Sequence, residues 1–181
     1  MSPLVAQLNF YLALCTVLLQ AGIVALVCDW YLFKGRNLFR YLAQYVRECA
    51  FLAACMAMLM TLLYSEVFGF VPCGLCWLER VFLYPQVVML GVALWKKETR
   101  AIFDYGITLS LLGGIVSLYH HYIQMGGSEV VKCPTSGGDC AKRIIFEFEY
   151  VTFPLMAFTL FVFLIVIFTL ARKNQDTLAP H

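Results

Sequence analysis

Long apolar segments separated by short polar connections make up most of the chain. Five of them extend approximately over residues 8–28, 49–70, 73–95, 102–125 and 151–171. Each is close to the roughly 20 residues that a helix needs to cross the hydrocarbon core of a bilayer. The pattern therefore predicts five transmembrane helices. The first is interpreted as a retained helix and not as a signal peptide, because no basic segment precedes it and its positive charges follow it.

The composition agrees with a membrane protein. Hydrophobic residues make up 62% of the chain and charged residues 13%, which excludes an ordinary soluble domain. A net charge of +2 is too small to indicate nucleic-acid binding. Half of the eight cysteines lie in or beside apolar runs and are interpreted as small packing residues: Cys15, Cys28, Cys49 and Cys55.

Basic residues are concentrated on one side of the predicted topology. Nine of the thirteen follow the first, third or fifth span: Lys34, Arg36, Arg40, Arg47, Lys96, Lys97, Arg100, Arg172 and Lys173. The positive-inside rule places these residues in the cytoplasm, the C-terminus with them, and the N-terminus outside. The remaining four cysteines then face the extracytoplasmic side of a bacterial inner membrane, where disulfides persist.

A Cys-x-x-Cys pair lies at the mouth of the third span. Pro72 suits the first turn of a helix, so Cys73 and Cys76 are expected on that first turn, where the helix dipole stabilises a thiolate. Arg80 follows on the same face, and an arginine at this depth needs a partner or a task. The segment is interpreted as a redox centre. Farther along the same span, Pro85 is expected either to kink the helix for packing or to shape a ligand pocket.

Two further features fall at the same predicted membrane depth. The outer end of the fourth span carries Ser117, His120, His121 and Gln124, and one of the histidines is expected to bind or protonate a small ligand. The outer loop, residues 126–150, contains Cys133 and Cys140 in a segment with two glycines, where a disulfide closes easily. Electrons can pass between two such pairs through a mixed disulfide, and a lipid-soluble quinone is the obvious acceptor for the pair at the helix mouth.

Three motifs in this order resemble the DsbB family of bacterial disulfide bond formation proteins. The short second loop is closer to its BdbC-like branch than to its long-loop enterobacterial form. Pro-Cys-x-x-Cys-Trp-x-x-Arg opens one span, Tyr-His-x-x-x-Gln closes the next, and Gly-Asp-Cys-Ala-x-Arg lies in the following loop. The resemblance implies an all-α integral membrane fold, a four-helix transmembrane bundle preceded by one extra N-terminal helix. The expected units are residues 1–48 (first helix and basic connector), 49–171 (redox bundle) and 172–181 (cytoplasmic tail).

The resemblance also implies roles for individual residues. Cys133 and Cys140 would be the shuttle pair, with Cys133 forming the mixed disulfide with a DsbA-like thioredoxin-fold partner. Electrons would pass to Cys73 and Cys76, and Cys76 as a thiolate would engage ubiquinone or menaquinone with the support of Arg80. The motif leaves the histidine ambiguous, because the spacing to Gln124 selects His120 whereas a Tyr-x-His match selects His121.

Three other interpretations stay open at the level of sequence. A vitamin K epoxide reductase-like protein uses similar parts, but its loop pair precedes the Cys-x-x-Cys, whereas here it follows. A structural zinc site made of four cysteines is disfavoured because Cys76 continues directly into a membrane helix. A non-catalytic membrane scaffold with one disulfide predicts that Cys73→Ser leaves cellular function intact.

Overall fold

The computed structural model describes residues 3–33, 42, 44–96, 100–128, 133 and 137–178. The predicted basic connector after the first span lies largely outside these residues, and so does part of the outer loop. Five helices in the described part of the chain are long and apolar enough to cross a membrane. They are α1 (Pro3–Phe33), α2 (Val46–Leu62), α3 (Gly74–Lys96), α4 (Arg100–Gln124) and α5 (Phe153–Leu178). The predicted all-α membrane fold is confirmed.

Helices α2 to α5 form a four-helix bundle in which each helix packs against its neighbour and α5 closes back onto α2. The core is apolar and is built largely from one face of α5, including Phe161, Leu164 and Phe168. Close approach of α4 to α5 depends on glycine, because a Cβ at Gly113 would overlap the ring of Phe161. Gly114 faces a looser contact, with its nearest neighbour 3.7 Å away.

Helix α1 packs on the outside of this bundle, mainly against α5. Its contacts include polar bonds, which specify how helices dock in a membrane. The Tyr64 hydroxyl donates to the Asn9 side chain, and the Gln20 amide donates to the Thr159 hydroxyl over 3.0 Å. The extra N-terminal helix is therefore a fixed part of the fold.

The end of α2 and the turn that follows differ from a regular helix. Residues Leu63–Val67 continue α2 as a π-helical turn, a feature that is frequent at functional sites. Gly69 then adopts a φ of 70°, which favours glycine, and the chain reverses into α3 within a few residues. The second and third spans therefore form a tight antiparallel helical hairpin.

The part of the outer loop that precedes the last span forms a short β-hairpin. Strands β1 (Phe146–Glu147) and β2 (Val151–Thr152) pair antiparallel, with Glu147 opposite Val151. The turn between them holds Phe148 and Glu149 at positive φ. The hairpin contacts α1, where the ring of Phe148 lies 5.8 Å from that of Phe10. The N-terminal end of α1 and the outer loop therefore lie at the same end of the bundle.

The opposite end of the bundle carries an exposed ion pair between Arg172 of α5 and Asp104 of α4. Lys96 ends α3 at this level.

Helix α3 continues without interruption across Pro85. The neighbouring Gln86 is buried and accepts a 3.0 Å hydrogen bond from the Ser110 hydroxyl of α4. A polar bond inside the bundle fixes how α3 and α4 pack.

Candidate redox site

Cys73 caps the N-terminus of α3. The helix begins at Gly74, so the expectation that Pro72 opens it is wrong by two residues, and Cys73 precedes the first turn by one residue. Cys76 lies on the first turn, as expected. The Cys73 carbonyl accepts the first bond of the helix, from the Trp77 N–H over 3.1 Å. Its sulfur accepts the N–H of Cys76 over 3.3 Å, at the position where a capping side chain normally bonds. The sulfur of Cys73 thus meets the positive end of the helix directly.

The sulfurs of Cys73 and Cys76 form a closely spaced dithiol. They lie 2.8 Å apart and are not bonded to each other, so a small movement would bring them to the roughly 2.05 Å of a disulfide. Cys73 precedes the membrane-spanning part of α3, and the hydrogen bond from Cys76 lowers the pKa of its thiol from 9.0 to about 4. Burial opposes this shift and His120 adds to it. In the reduced site the thiolate therefore resides on Cys73.

A buried histidine–carboxylate pair supports that thiolate. Nδ1 of His120 lies 2.8 Å from Oε1 of Glu79, and Nε2 lies 3.6 Å from the Cys73 sulfur. Nε2 also lies 3.2 Å from the carbonyl oxygen of Cys140. Because a carbonyl oxygen can only accept, Nε2 carries a proton, and an ionised Glu79 requires a second proton on Nδ1. With Glu79 ionised, His120 is an imidazolium between a carboxylate and a thiolate.

The outer loop brings the second cysteine pair to the same place. Cys133 and Cys140 are disulfide-bonded, and Cys140 is fully buried. Gly138 pairs with Cys73 as an isolated parallel bridge, and its N–H donates to the Pro72 carbonyl over 3.4 Å. The loop pair is thereby docked on the residue that caps α3, and the two cysteine pairs lie at the same end of the bundle.

Further hydrogen bonds anchor this loop segment to the end of α4. The Gln124 amide donates to the Lys142 carbonyl over 3.2 Å, and the Arg143 guanidinium donates to the Gln124 carbonyl over 2.6 Å. The ring of Phe146 lies 4.7 Å from the Arg143 guanidinium carbon. Because Gln124 also lies beside His120, the loop and the imidazole are positioned by the same turn of α4.

Arg80 lies one turn beyond Cys76 and is only 7% exposed. Its guanidinium donates to the Thr61 carbonyl of α2 over 2.8 Å and lies 5.1 Å from the centre of the Trp77 ring. Both partners are uncharged, and a buried guanidinium is costly without an anion nearby. Arg80 is therefore placed to bind a ligand oxygen or to offset negative charge near Cys76.

A cavity of about 770 Å³ adjoins this group. Its lining runs from Cys73 to Leu83 along α3, and from Tyr64 to Ala53 along α2. At 1.5 Å per residue this is a length of about 15 Å. One end is lined by Cys73, Cys76, Glu79, Arg80, His120 and Gln124, and the rest is mostly apolar. The shape and polarity fit an amphipathic molecule with a polar head near the cysteines.

The structure brings together most of the residues singled out from the sequence. His120 meets Cys73 and lines the cavity, whereas His121 bonds the Thr152 hydroxyl over 2.8 Å and does not line it. Pro85 does not line the cavity either. Glu79 was missed, although a carboxylate within an apolar span, three residues after Cys76, is itself a signal of function.

A cluster of soft ligand atoms is present, but it is not the four-cysteine zinc site considered from the sequence. Two of those cysteines, Cys133 and Cys140, are bonded to each other. Among the described residues, the ligand atoms of Cys73, Cys76 and His120 lie within 4.8 Å of one another. This grouping is the dithiol and its imidazole partner.

Comparison with known proteins places the chain in a family. Residues 43–171 match the family model described as disulfide bond formation protein DsbB. The chain is 32% identical over 145 residues to disulfide bond formation protein C of Bacillus subtilis, an alignment covering 80% of this chain and 99% of that protein. It is 34% identical over 137 residues to probable disulfide formation protein C 1 of Bacillus anthracis, covering 73% and 95%.

A third relative, the SPbeta prophage-derived disulfide bond formation protein B of Bacillus subtilis, is 41% identical over 97 residues, covering 54% of this chain and 65% of that protein. No solved structure is significantly similar to the chain. The family match includes the whole four-helix bundle and the docked cysteine loop. The chain therefore belongs to the DsbB family of disulfide bond formation proteins.

Proposed function

We propose that the protein is a membrane thiol:quinone oxidoreductase that re-oxidises a DsbA-like thioredoxin-fold dithiol protein. Electrons would pass from the partner to Cys133 and Cys140, then to Cys73 and Cys76, and then to ubiquinone or menaquinone. The overall reaction balances: the partner dithiol loses two electrons and two protons and becomes a disulfide, and the quinone gains them and becomes a quinol. The observation that carries the proposal is the Cys73–Cys76 pair at the polar end of a long apolar cavity.

The positions of the two sulfurs favour different tasks for them. Cys73 is buried against Gly138 of the loop, so it is the sulfur that the reduced loop pair would attack. Such an attack forms a loop–Cys73 bond and releases Cys76 as a thiolate beside Arg80. The second loop sulfur then displaces Cys73, which closes the loop disulfide and leaves the dithiol at the mouth of α3.

The residues around the cavity would hold the head of a quinone. A quinone ring carries two oxygens that accept hydrogen bonds. On reduction the ring takes up two electrons and the two oxygens take up two protons. Arg80 is the donor whose charge suits an oxygen that becomes more negative during reduction. His120 carries protons at the same end of the cavity, and Glu79 keeps it oriented. The apolar remainder of the lining suits a lipid tail.

The proposal includes the division of the chain and the membrane orientation that are expected from the sequence. Residues 49–171 would form the redox unit, residues 1–48 the additional helix with its connector, and residues 172–181 the cytoplasmic tail. Both cysteine pairs would face the periplasmic or extracytoplasmic side of a bacterial inner membrane. Lys96 at the end of α3 and Arg172 in the last third of α5 support this orientation, because they lie at the end of the bundle opposite the cysteines.

The test is anaerobic mixing of purified protein with a reduced thioredoxin-fold dithiol protein and excess quinone. One quinol is expected for every two partner thiols that are lost. Cys76→Ser should abolish quinol formation, whereas Cys55→Ser should not, because Cys55 does not line the cavity. Absence of quinol with wild-type protein whose cysteines are intact would refute the proposal.

A further inference from the structure

The first helix lies outside the segment that matches the family, yet it contributes a wall of the cavity. The match begins at residue 43, whereas α1 ends at Phe33. The residues of α1 that line the cavity are Leu12, Cys15, Thr16 and Leu19. Their spacing of three, four and seven residues puts them on one face of the helix. The face is continuous, and it extends for two turns along the cavity.

Polar bonds at both ends of this face fix its position. Asn9, one turn before Leu12, accepts the hydroxyl of Tyr64 at the end of α2. Gln20, directly after Leu19, donates to Thr159 of α5 and accepts the Tyr150 hydroxyl over 3.1 Å. Helix α1 is thus tied to α2, to α5 and to the hairpin. Its four lining residues are thereby held against the cavity.

The chemistry of the wall differs from that of the redox end. Leu12 and Leu19 are apolar, and the hydroxyl of Thr16 is satisfied by the Leu12 carbonyl over 2.8 Å. Cys15 adds a thiol, which is only a weak hydrogen-bonding group. The wall is therefore mostly hydrocarbon and offers no strong polar contact to a ligand. A ligand group that lies against it gains apolar burial alone.

We propose that α1 is the wall that selects the acceptor by its tail: Leu12, Thr16 and Leu19 pack against the apolar chain of a lipid quinone whose ring lies near Cys76. The inference rests on the proposed function, because it assumes that the acceptor is a quinone. It assigns to the additional helix a task in substrate selection beyond packing. A quinone without a tail would not use this wall.

Adjacent leucines that point about 100° apart on α1 supply a matched test. Leu19 lines the cavity, whereas Leu18 is 63% exposed and faces away from the bundle. Leu19→Trp extends the wall into the cavity and leaves less room for a tail. It is expected to raise KM for a long-tailed quinone about tenfold or more, and to change KM for a tail-less quinone less than about twofold. Leu18→Trp should leave both values unchanged. The assay is anaerobic quinol formation with dithiothreitol as the electron donor and Cys76→Ser as the blank.

A second, smaller substitution guards against misfolding of the tryptophan variant. Leu19→Ala shortens the wall and is expected to raise KM for the long-tailed quinone about threefold, since it removes apolar contacts with the tail. Equal KM values for Leu19→Trp, Leu19→Ala and Leu18→Trp would overturn the assignment of α1 and leave the proposed function standing. Equal impairment with both quinones would also overturn it. Absence of quinol from wild-type protein would instead refute the proposed function itself.

Discussion

Replacing His120 by alanine is expected to destabilise the Cys73 thiolate, and the adjacent His121 supplies the control. His120 contacts the Cys73 sulfur over 3.6 Å and is held by Glu79. A hydrogen bond to a charged group contributes about 1.5–3 kcal/mol. Since one pKa unit corresponds to about 1.36 kcal/mol, His120→Ala should raise the pKa of Cys73 by about one to two units, from its value of about 4. His121→Ala should not, because His121 bonds Thr152 instead.

The sign of the pH effect follows from the lowered pKa. The thiolate bond is present at neutral pH and is lost as the pH falls through the pKa of Cys73, which lies near 4 in the wild-type protein. Above that pH the bond stabilises the reduced site, so its loss makes the disulfide harder to reduce. At about 30 mV per 1.4 kcal/mol, the potential of the Cys73–Cys76 couple should fall by about 30–65 mV at neutral pH. The difference should shrink in acid.

Timed alkylation of the reduced protein measures the ionisation directly. The background is Cys133→Ser with Cys140→Ser, so that the loop pair neither reacts nor exchanges. Peptide mass spectrometry then gives the iodoacetamide rate at Cys73 across the acid and neutral range. The midpoint should move upward in His120→Ala and stay in place in His121→Ala. An unmoved midpoint in the first variant, or equal movement in both, would show that the imidazole of His120 does not stabilise the thiolate.

Three further substitutions test the site and the packing around it. Glu79→Gln keeps a hydrogen-bond acceptor for the imidazole of His120 but removes the carboxylate charge. The alkylation midpoint of Cys73 should therefore rise by about half as much as in His120→Ala. Glu66→Gln, at an exposed position, is the control and should leave the midpoint unchanged. Gly113→Ala overpacks the contact with Phe161 and should lower the free energy of unfolding, measured by thermal unfolding in detergent, by about 1–3 kcal/mol. Gly114→Ala is the control, because the nearest atom to its added Cβ is 3.7 Å away. Equal stability of the two variants would contradict the α4–α5 packing. Gly138→Ala places a Cβ 2.5 Å from the backbone carbonyl oxygen of Val71, so the loop can no longer dock closely on Cys73. Disulfide interchange between Cys133–Cys140 and Cys73–Cys76, followed by acid quenching, should therefore be slower. An unchanged rate would contradict docking of the loop.

The membrane helices could be predicted from the sequence because their signal is local. Each span is a run of apolar residues of nearly fixed length, and no tertiary contact changes that requirement. The start of α3 was misplaced because Cys73 is held by Gly138, a partner 65 positions away in the chain. The β-hairpin formed by β1 and β2 was missed because strands of two residues carry no periodic pattern.

The choice between the two histidines illustrates what the sequence lacks. Adjacent residues on a helix point about 100° apart, so only one of His120 and His121 can face α3. Which one does so depends on the rotation of α4 about its axis, and close packing of Gly113 against Phe161 fixes that rotation. Motif matching gave conflicting answers because it contains no information about this contact.

The charges of the site explain why a quinone is a suitable acceptor for it. With the Cys73–Cys76 disulfide formed, Glu79, His120 and Arg80 leave a net positive charge in a poorly solvated place. The imidazolium is paired with Glu79, whereas the contacts of the guanidinium with the described residues are to a carbonyl and an indole ring. Reduction to a Cys73 thiolate cancels that charge, so the site favours accepting electrons. Re-oxidation must then remove electrons without leaving an anion behind in the apolar cavity, where an unpaired charge is costly. An acceptor that takes up two electrons with two protons, one from the Cys76 thiol and one from solvent, and leaves as a neutral molecule meets that condition. A quinone leaving as a quinol does so.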